Sequence, residues 1–162
     1  MAPVVKVGDD PAVSYTRSIF HAVFVCHRRR RWLDPDLRRE LYSWFGLYLF
    51  RRNSALWDVN GVEDHVHALM LISPRISVAE IMAGLKSSSS RMIHEKLRTR
   101  EFVWQDGYAA FSVSPSQVEG VKRYLAIQEE HHRRMDVREE LKQLLRAHGM
   151  EPRGEDPFWR EE

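Results

Sequence analysis

The chain has 162 residues, 43% hydrophobic and 30% charged, which suits one ordinary domain with a real core and argues against bulk disorder. Its single cysteine, Cys26, excludes an intrachain disulfide framework and a cysteine-built zinc site. The apolar runs are too short to span a bilayer, the first ten residues lack a signal layout, and a cytoplasmic, non-membrane protein is expected.

In chain order, Tyr15–Cys26 is apolar on both alternating faces, with Ile19, Val23 and Val25 on one and Phe20, Ala22 and Phe24 on the other. That predicts a strand in the middle of a sheet. Asp34-Pro35-Asp36 then offers an N-cap, a proline at the first helical position and an acid in the first turn. Leu37, Leu41, Trp44, Phe45, Tyr48 and Leu49 follow at helical spacing. Ala55–Asn60 reads as a short strand, and Gly61 starts a turn. His65–Ser73 is a second central strand. Ser77 and Glu80 form a capping box for a helix carrying Ile81, Met82, Leu85, Ile93 and Leu97. Gly84 inside it is a weak point of about 1 kcal/mol against alanine. Ala109–Val113 is a fourth strand. Ser114-Pro115-Ser116-Gln117 reads as another capping box, opening a third helix that runs to about residue 134. Asp136 caps a last helix that stops at Gly149.

The order β-α-β-β-α-β plus two helices predicts an α+β protein, a ferredoxin-like split βαβ with an antiparallel sheet and helices on one face. The whole chain, 1–162, reads as one domain. Its ordered core runs from about 15 to 149, and both termini are expected to be loosely held.

Two patterns carry chemistry. His65 and His67 stand at i and i+2 on a strand, so both imidazoles face one side about 6–7 Å apart. They suit a shared divalent ion, although a bare H-x-H is more often two partly buried histidines that only hydrogen-bond. Asp64 and Glu63 just before them suit a supporting or a turn role. Tyr124 and Gln128, at i and i+4, share a helix face with His131 at the margin of the Val118, Val121 and Leu125 stripe. A tyrosine hydroxyl there suits attack on phosphorus, and an amide oxygen suits a hard cation. Such a pair is also common as a half-buried Tyr beside a solvated Gln.

Net charge is +2, but residues 1–52 hold 10 basic and 5 acidic side chains, centred on His27-Arg28-Arg29-Arg30-Arg31. Charge of this kind suits phosphate contacts or a plain solvated loop.

Taken together, an H-x-H on a central strand and Y-x-x-x-Q on a helix after the last strand resemble the HUH single-tyrosine transposases. Small bacterial and archaeal insertion sequences encode them. The resemblance extends over about Tyr15 to Gly149, through Asp64–His67, the Leu85–Arg91 serine stretch, Trp104–Tyr108 and Tyr124–His132. It implies that His65, His67 and Gln128 hold a divalent metal, Mg²⁺ or Mn²⁺, and that Tyr124 is the nucleophile. In that family the tyrosine attacks single-stranded DNA, forming a 5′-phosphotyrosine and freeing a 3′-hydroxyl, and a second transesterification rejoins the strand. It further implies recognition of subterminal DNA hairpins. A homodimer is expected, in which the Tyr helix of one subunit faces the histidines of the other. Arg28, Arg29, Arg30, Arg31, Lys86 and Arg91 are the candidate phosphate contacts. Trp104 and Tyr108 are candidates for stacking on an extruded base, although core packing suits Trp104 at least as well.

Two rivals share the fold. One is a domesticated protein that holds single-stranded DNA hairpins without cutting them. The other is a ferredoxin-like RNA-binding domain, whose aromatic stacking motif is missing from both central strands. The absence of H-E-x-x-H excludes a zincin-type peptidase.

Overall fold

The computed structural model describes residues 15–133 and 135–153. The expected loose N-terminus, the tail beyond 153 and the end of the third helix at Arg134 lie outside the described residues.

Four strands, β1 (Ser18–Val25), β2 (Ala55–Gly61), β3 (His65–Ile72) and β4 (Ala109–Ser112), form one antiparallel sheet in the order β2-β3-β1-β4. The two strands with apolar residues on both faces, β1 and β3, take the centre, where both faces are covered. Their register sets Val23 opposite His67 and Val25 opposite His65.

On one face lie α1 (Pro35–Phe50) and α2 (Val78–Leu97). Asp34 accepts the Leu37 N–H at 2.8 Å to start α1, which buries Leu37, Leu41, Phe45 and Leu49. The capping box of Ser77 and Glu80 is complete in both directions. These helices pack on Ala22 and Phe24 of β1 and on Val66, Ala68 and Met70 of β3. Gly84 turns out to be a close approach rather than a weak point. A Cβ there would lie 1.5 Å from the Tyr48 hydroxyl, so the Tyr48 ring on α1 occupies the space that an alanine methyl would need.

The other face is covered too, which corrects the expectation of helices on one side only. There α3 (Val118–Ala126), a single turn α4 (Gln128–His131) and α5 (Val137–Ala147) lie over Ile19, Val23, Val25 and Leu69. Strand alternation therefore turns His65 and His67 toward these C-terminal helices and Val66 into the main core.

The third helix departs from expectation at both ends. Ser114 makes no capping bond to the backbone, and its hydroxyl meets Ser116 instead. A 3₁₀ turn at Pro115–Gln117 precedes α3. The helix then breaks at Ile127 (φ −102°, ψ 10°) rather than running on. Asn60 of β2 donates its side-chain amide to the Leu125 carbonyl at 2.8 Å, so a tertiary bond takes up a helix acceptor just before the break. The last helix starts as expected, with Asp136 accepting the Glu139 N–H at 3.0 Å.

Candidate active site and metal centre

The turn between β2 and β3 places the histidine pair. A Cβ on Gly61 would lie 2.3 Å from the His65 carbonyl oxygen and 2.8 Å from the Val66 Cα, so only glycine allows the strands to come this close. Arg38 of α1 donates to the Gly61 carbonyl at 2.6 Å and pins the turn from outside.

His65 and His67 are fully buried, and each is oriented by a neighbour. His65 Nδ1 hydrogen-bonds to Asp64 at 2.6 Å, which turns Nε2 toward the centre. His67 Nδ1 shares a hydrogen bond with His21 Nε2 of β1 at 2.9 Å. Burial, then the neighbouring His67, pushes the His21 imidazole down to about 3, so it stays neutral. Burial likewise holds His67 below the ordinary histidine value. Burial also acts to lower His65, but hydrogen bonds to Asp64 and Glu140 overcome it and raise that group.

The centre of the site is Glu140 of α5, 2% exposed. Its Oε2 lies 2.8 Å from His132 Nε2, 3.3 Å from His67 Nε2 and 3.5 Å from His65 Nε2. His65 and His132 Nε2 are 2.9 Å apart. Its Oε1 accepts from the Tyr124 hydroxyl and, at 2.9 Å, from Gln128 Nε2. Burial pushes the Glu140 carboxyl up, but hydrogen bonds from His132, His65 and His67 outweigh it and hold it well below the usual carboxylate range. Burial first, then the Glu140 charge, pushes the half-buried Tyr124 hydroxyl above the ordinary tyrosine value.

Gln128 is buried with its Oε1 unpartnered. A buried orphan acceptor normally has a missing donor or ion. One ligand atom each from His65, His67, His132 and Glu140 falls within 4.8 Å of all the others. Bonds of about 2.0–2.2 Å set neighbouring donors about 3.0–3.5 Å apart, and Glu140 Oε2 lies 2.8, 3.3 and 3.5 Å from the three imidazole nitrogens. The residues therefore fit a divalent cation.

Comparisons with known proteins give the family and the fold. Residues 14–128 match the family described as "Transposase IS200 like". The chain belongs to the IS200-like transposase family. The transposases for insertion sequence element IS200 of Salmonella typhimurium and Salmonella typhi are each 32% identical over 111 residues, spanning 63% of this chain and 72% of theirs. Two solved structures share its fold. A putative transposase from Deinococcus radiodurans superposes with a TM-score of 0.59 at 16% identity, over 75% of this chain and 98% of the other. A REP-associated tyrosine transposase bound to a REP hairpin gives 0.58 at 11% identity, over 96% and 93%.

In this IS200-like transposase, the expected Tyr124, His65, His67 and Gln128 come together within one chain. The Tyr124 ring lies 5.8 Å from that of His67. His21, His132 and Glu140 were not expected. Glu140 lies at i+3 from Val137 and beside Leu141, so an acid on the apolar stripe of α5 was the available signal. His131 was expected on the Tyr124 face and does lie against the tyrosine, at 5.7 Å between rings. The break at Ile127 instead brings His132 to the cluster.

The expected DNA contacts fare unevenly. Trp104 is 3% exposed in the main core, and its indole N–H donates to buried Ser89 at 3.0 Å. It presents no face for a base, which corrects the stacking role. Lys86 donates to the Gln105 and Gly107 carbonyls, at 2.5 and 2.6 Å, and so ties down the 105–107 loop. Tyr108 is 49% exposed beside a groove of about 540 Å³ lined also by Gln105, Leu141, Met150 and Arg153. Arg91 is exposed on α2. Arg28 and Arg29 adopt left-handed backbone (φ 55° and 53°), and Arg29, Arg30 and Arg31 lie near Asp136, Glu101 and Glu63 at 3.9, 3.9 and 3.4 Å. Among the described residues, no helix is long and apolar enough to cross a membrane.

Proposed function

We propose that this transposase-family protein cuts and rejoins single-stranded DNA at insertion-sequence ends, with Tyr124 as the nucleophile. The observation that carries the reading is the convergence of Tyr124, Gln128, His65 and His67 on one buried carboxylate. Family membership supports it, as does a fold shared with a protein bound to a REP hairpin.

The Tyr124 oxygen attacks the scissile phosphorus. A Tyr–O–P bond forms, the P–O3′ bond breaks, and the 3′-oxygen leaves with a proton. Glu140 Oε1 orients the attacking hydroxyl. The tyrosine proton ends on the leaving oxygen. The second half reverses these steps with a different 3′-hydroxyl as attacker, so no external energy source enters. His65, His67 and Gln128 would hold the divalent cation, Mg²⁺ or Mn²⁺. When bound, it supplies Lewis-acid stabilisation of charge on the nonbridging phosphate oxygens. Asp64 and His21 keep the two imidazoles in place.

Single-stranded DNA with subterminal hairpins is the proposed partner. Arg28, Arg29, Arg30, Arg31 and Arg91 are proposed phosphate contacts, and Tyr108 a stacking surface beside the groove. A homodimer remains part of the reading.

The test incubates the protein with labelled single-stranded element ends and Mg²⁺ or Mn²⁺. Site-specific nicking that leaves a free 3′-hydroxyl is expected. Tight hairpin binding with no cleavage under either metal would refute the enzyme and favour the non-cleaving hairpin binder.

A further inference from the structure

The histidine pair and Gln128 do not exhaust the donors in the centre. His132 and Glu140 lie beyond residue 128, where the family match stops. They nonetheless supply two of the four clustered ligand atoms. The Glu140 carboxylate is also divided. Every contact with an imidazole goes to Oε2, and the contacts with Tyr124 and Gln128 go to Oε1.

We propose that His132 Nε2 and Glu140 Oε2 are additional metal ligands, and that Glu140 Oε1 fixes the Tyr124 hydroxyl beside the ion, so that one carboxylate of α5 joins the metal to the nucleophile. The proposal rests on the metal-dependent tyrosine reading and adds to it the source of the ligands and the class of ion. Three imidazole nitrogens with a carboxylate are a poor set for Mg²⁺, which takes oxygen ligands and keeps much of its water. They suit Mn²⁺ and the later divalent ions better. The ion also becomes a clamp. His65 and His67 belong to β3, His132 follows α4, and Glu140 belongs to α5, so occupancy ties the C-terminal helix to the sheet.

The strength of the argument lies in burial and spacing. Glu140 is a buried carboxylate on an otherwise apolar helix face. Its Oε2 sits at coordination-edge distance from three imidazole nitrogens, two of which already have their far nitrogen held by Asp64 and His21. A carboxylate placed only to satisfy Tyr124 and Gln128 would not need three histidines around its second oxygen.

The test is metal binding, measured by calorimetry on the full chain without DNA. Wild type should bind Mn²⁺ at least tenfold more tightly than Mg²⁺. Glu140→Gln and His132→Ala should each weaken Mn²⁺ at least tenfold, while Glu139→Gln, on the solvent side of the same helix, should stay within twofold. Hydrogen exchange on wild-type protein gives a readout independent of any variant's folding. Mn²⁺ should slow exchange across residues 137–147. Mn²⁺ affinity within twofold of wild type in Glu140→Gln, or unchanged exchange in α5 at saturating Mn²⁺, would overturn the proposal. In either case cleavage lost in His65→Ala but kept in Glu140→Gln would leave the tyrosine reading standing.

Discussion

Replacing Ser89 by alanine isolates the contact that moved Trp104 from DNA surface to core. Ser89 is fully buried on α2, donates to the Leu85 carbonyl at 2.6 Å and accepts the Trp104 indole N–H at 3.0 Å. Alanine removes the acceptor and leaves that N–H buried beside Phe24 and Phe102, whose rings lie 5.9 and 5.0 Å away. An orphaned buried donor costs about 1–3 kcal/mol. At about 2–4 °C per kcal/mol for a chain of this size, Tm should fall by about 2–12 °C. Trp104→Phe removes the donor and some packing volume, so the double variant should be less destabilised than the sum, with a coupling of about 0.5–3 kcal/mol. Urea melts of the four proteins measure the cycle, and hairpin affinity below the melting range measures any DNA role. Base stacking by Trp104 would instead appear as weaker hairpin binding for Trp104→Phe at unchanged stability, by less than the loss of about 1–3 kcal/mol that removing the ring altogether causes. That pattern, or a Ser89→Ala cost below about 0.5 kcal/mol, would refute the core assignment.

Three further outcomes follow from the placement of the site. Gly61→Ala forces a methyl against the His65 carbonyl and should cost about 1–3 kcal/mol in a thermal melt, with cleavage falling further because His65 moves. Asn60→Ala frees the Leu125 carbonyl. It should cost about 0.5–1.5 kcal/mol in stability but slow cleavage more than that loss explains, since the break that presents Gln128 and His132 loses its tie. Backbone hydrogen bonds from α5, foremost that of Glu139, hold the exposed Asp136 carboxyl below its ordinary value of 3.8. Its stabilisation is complete above that value and is lost as pH falls through the lower folded one. Acid loosening of α5 by hydrogen exchange should therefore be reduced in Asp136→Asn relative to wild type.

The elements were legible where local chemistry and tertiary packing agree. Caps at Asp34, Ser77 and Asp136 marked three helix starts, and the two-faced apolar pattern of β1 marked a central strand. Alternation also placed His65 and His67 on one face. The sheet's second cover was harder to see, because α3 to α5 are amphipathic helices whose partner surface is set only by topology. The break at Ile127 was invisible to helical periodicity, since its tie comes from Asn60, sixty-five residues earlier. The bond lies just before the break, and the cluster beyond it takes His132 while His131 lies against Tyr124. Glu140 was hidden for the opposite reason. Charge on a helix ordinarily faces solvent, and only its position between Val137 and Leu141 tells against that. Trp104 and Lys86 were read as DNA contacts because aromatic and basic side chains suit both roles. Their partners, Ser89 and the Gln105 and Gly107 carbonyls, lie 15 to 21 residues away.

The most direct measurement is mass spectrometry of the protein after reaction with single-stranded element ends and Mn²⁺, digested to peptides. The account predicts a nucleotide 5′-phosphate on the peptide containing Tyr124, absent from Tyr124→Phe and lost in His65→Ala. An adduct on another residue, or one that forms equally in Tyr124→Phe, would contradict it.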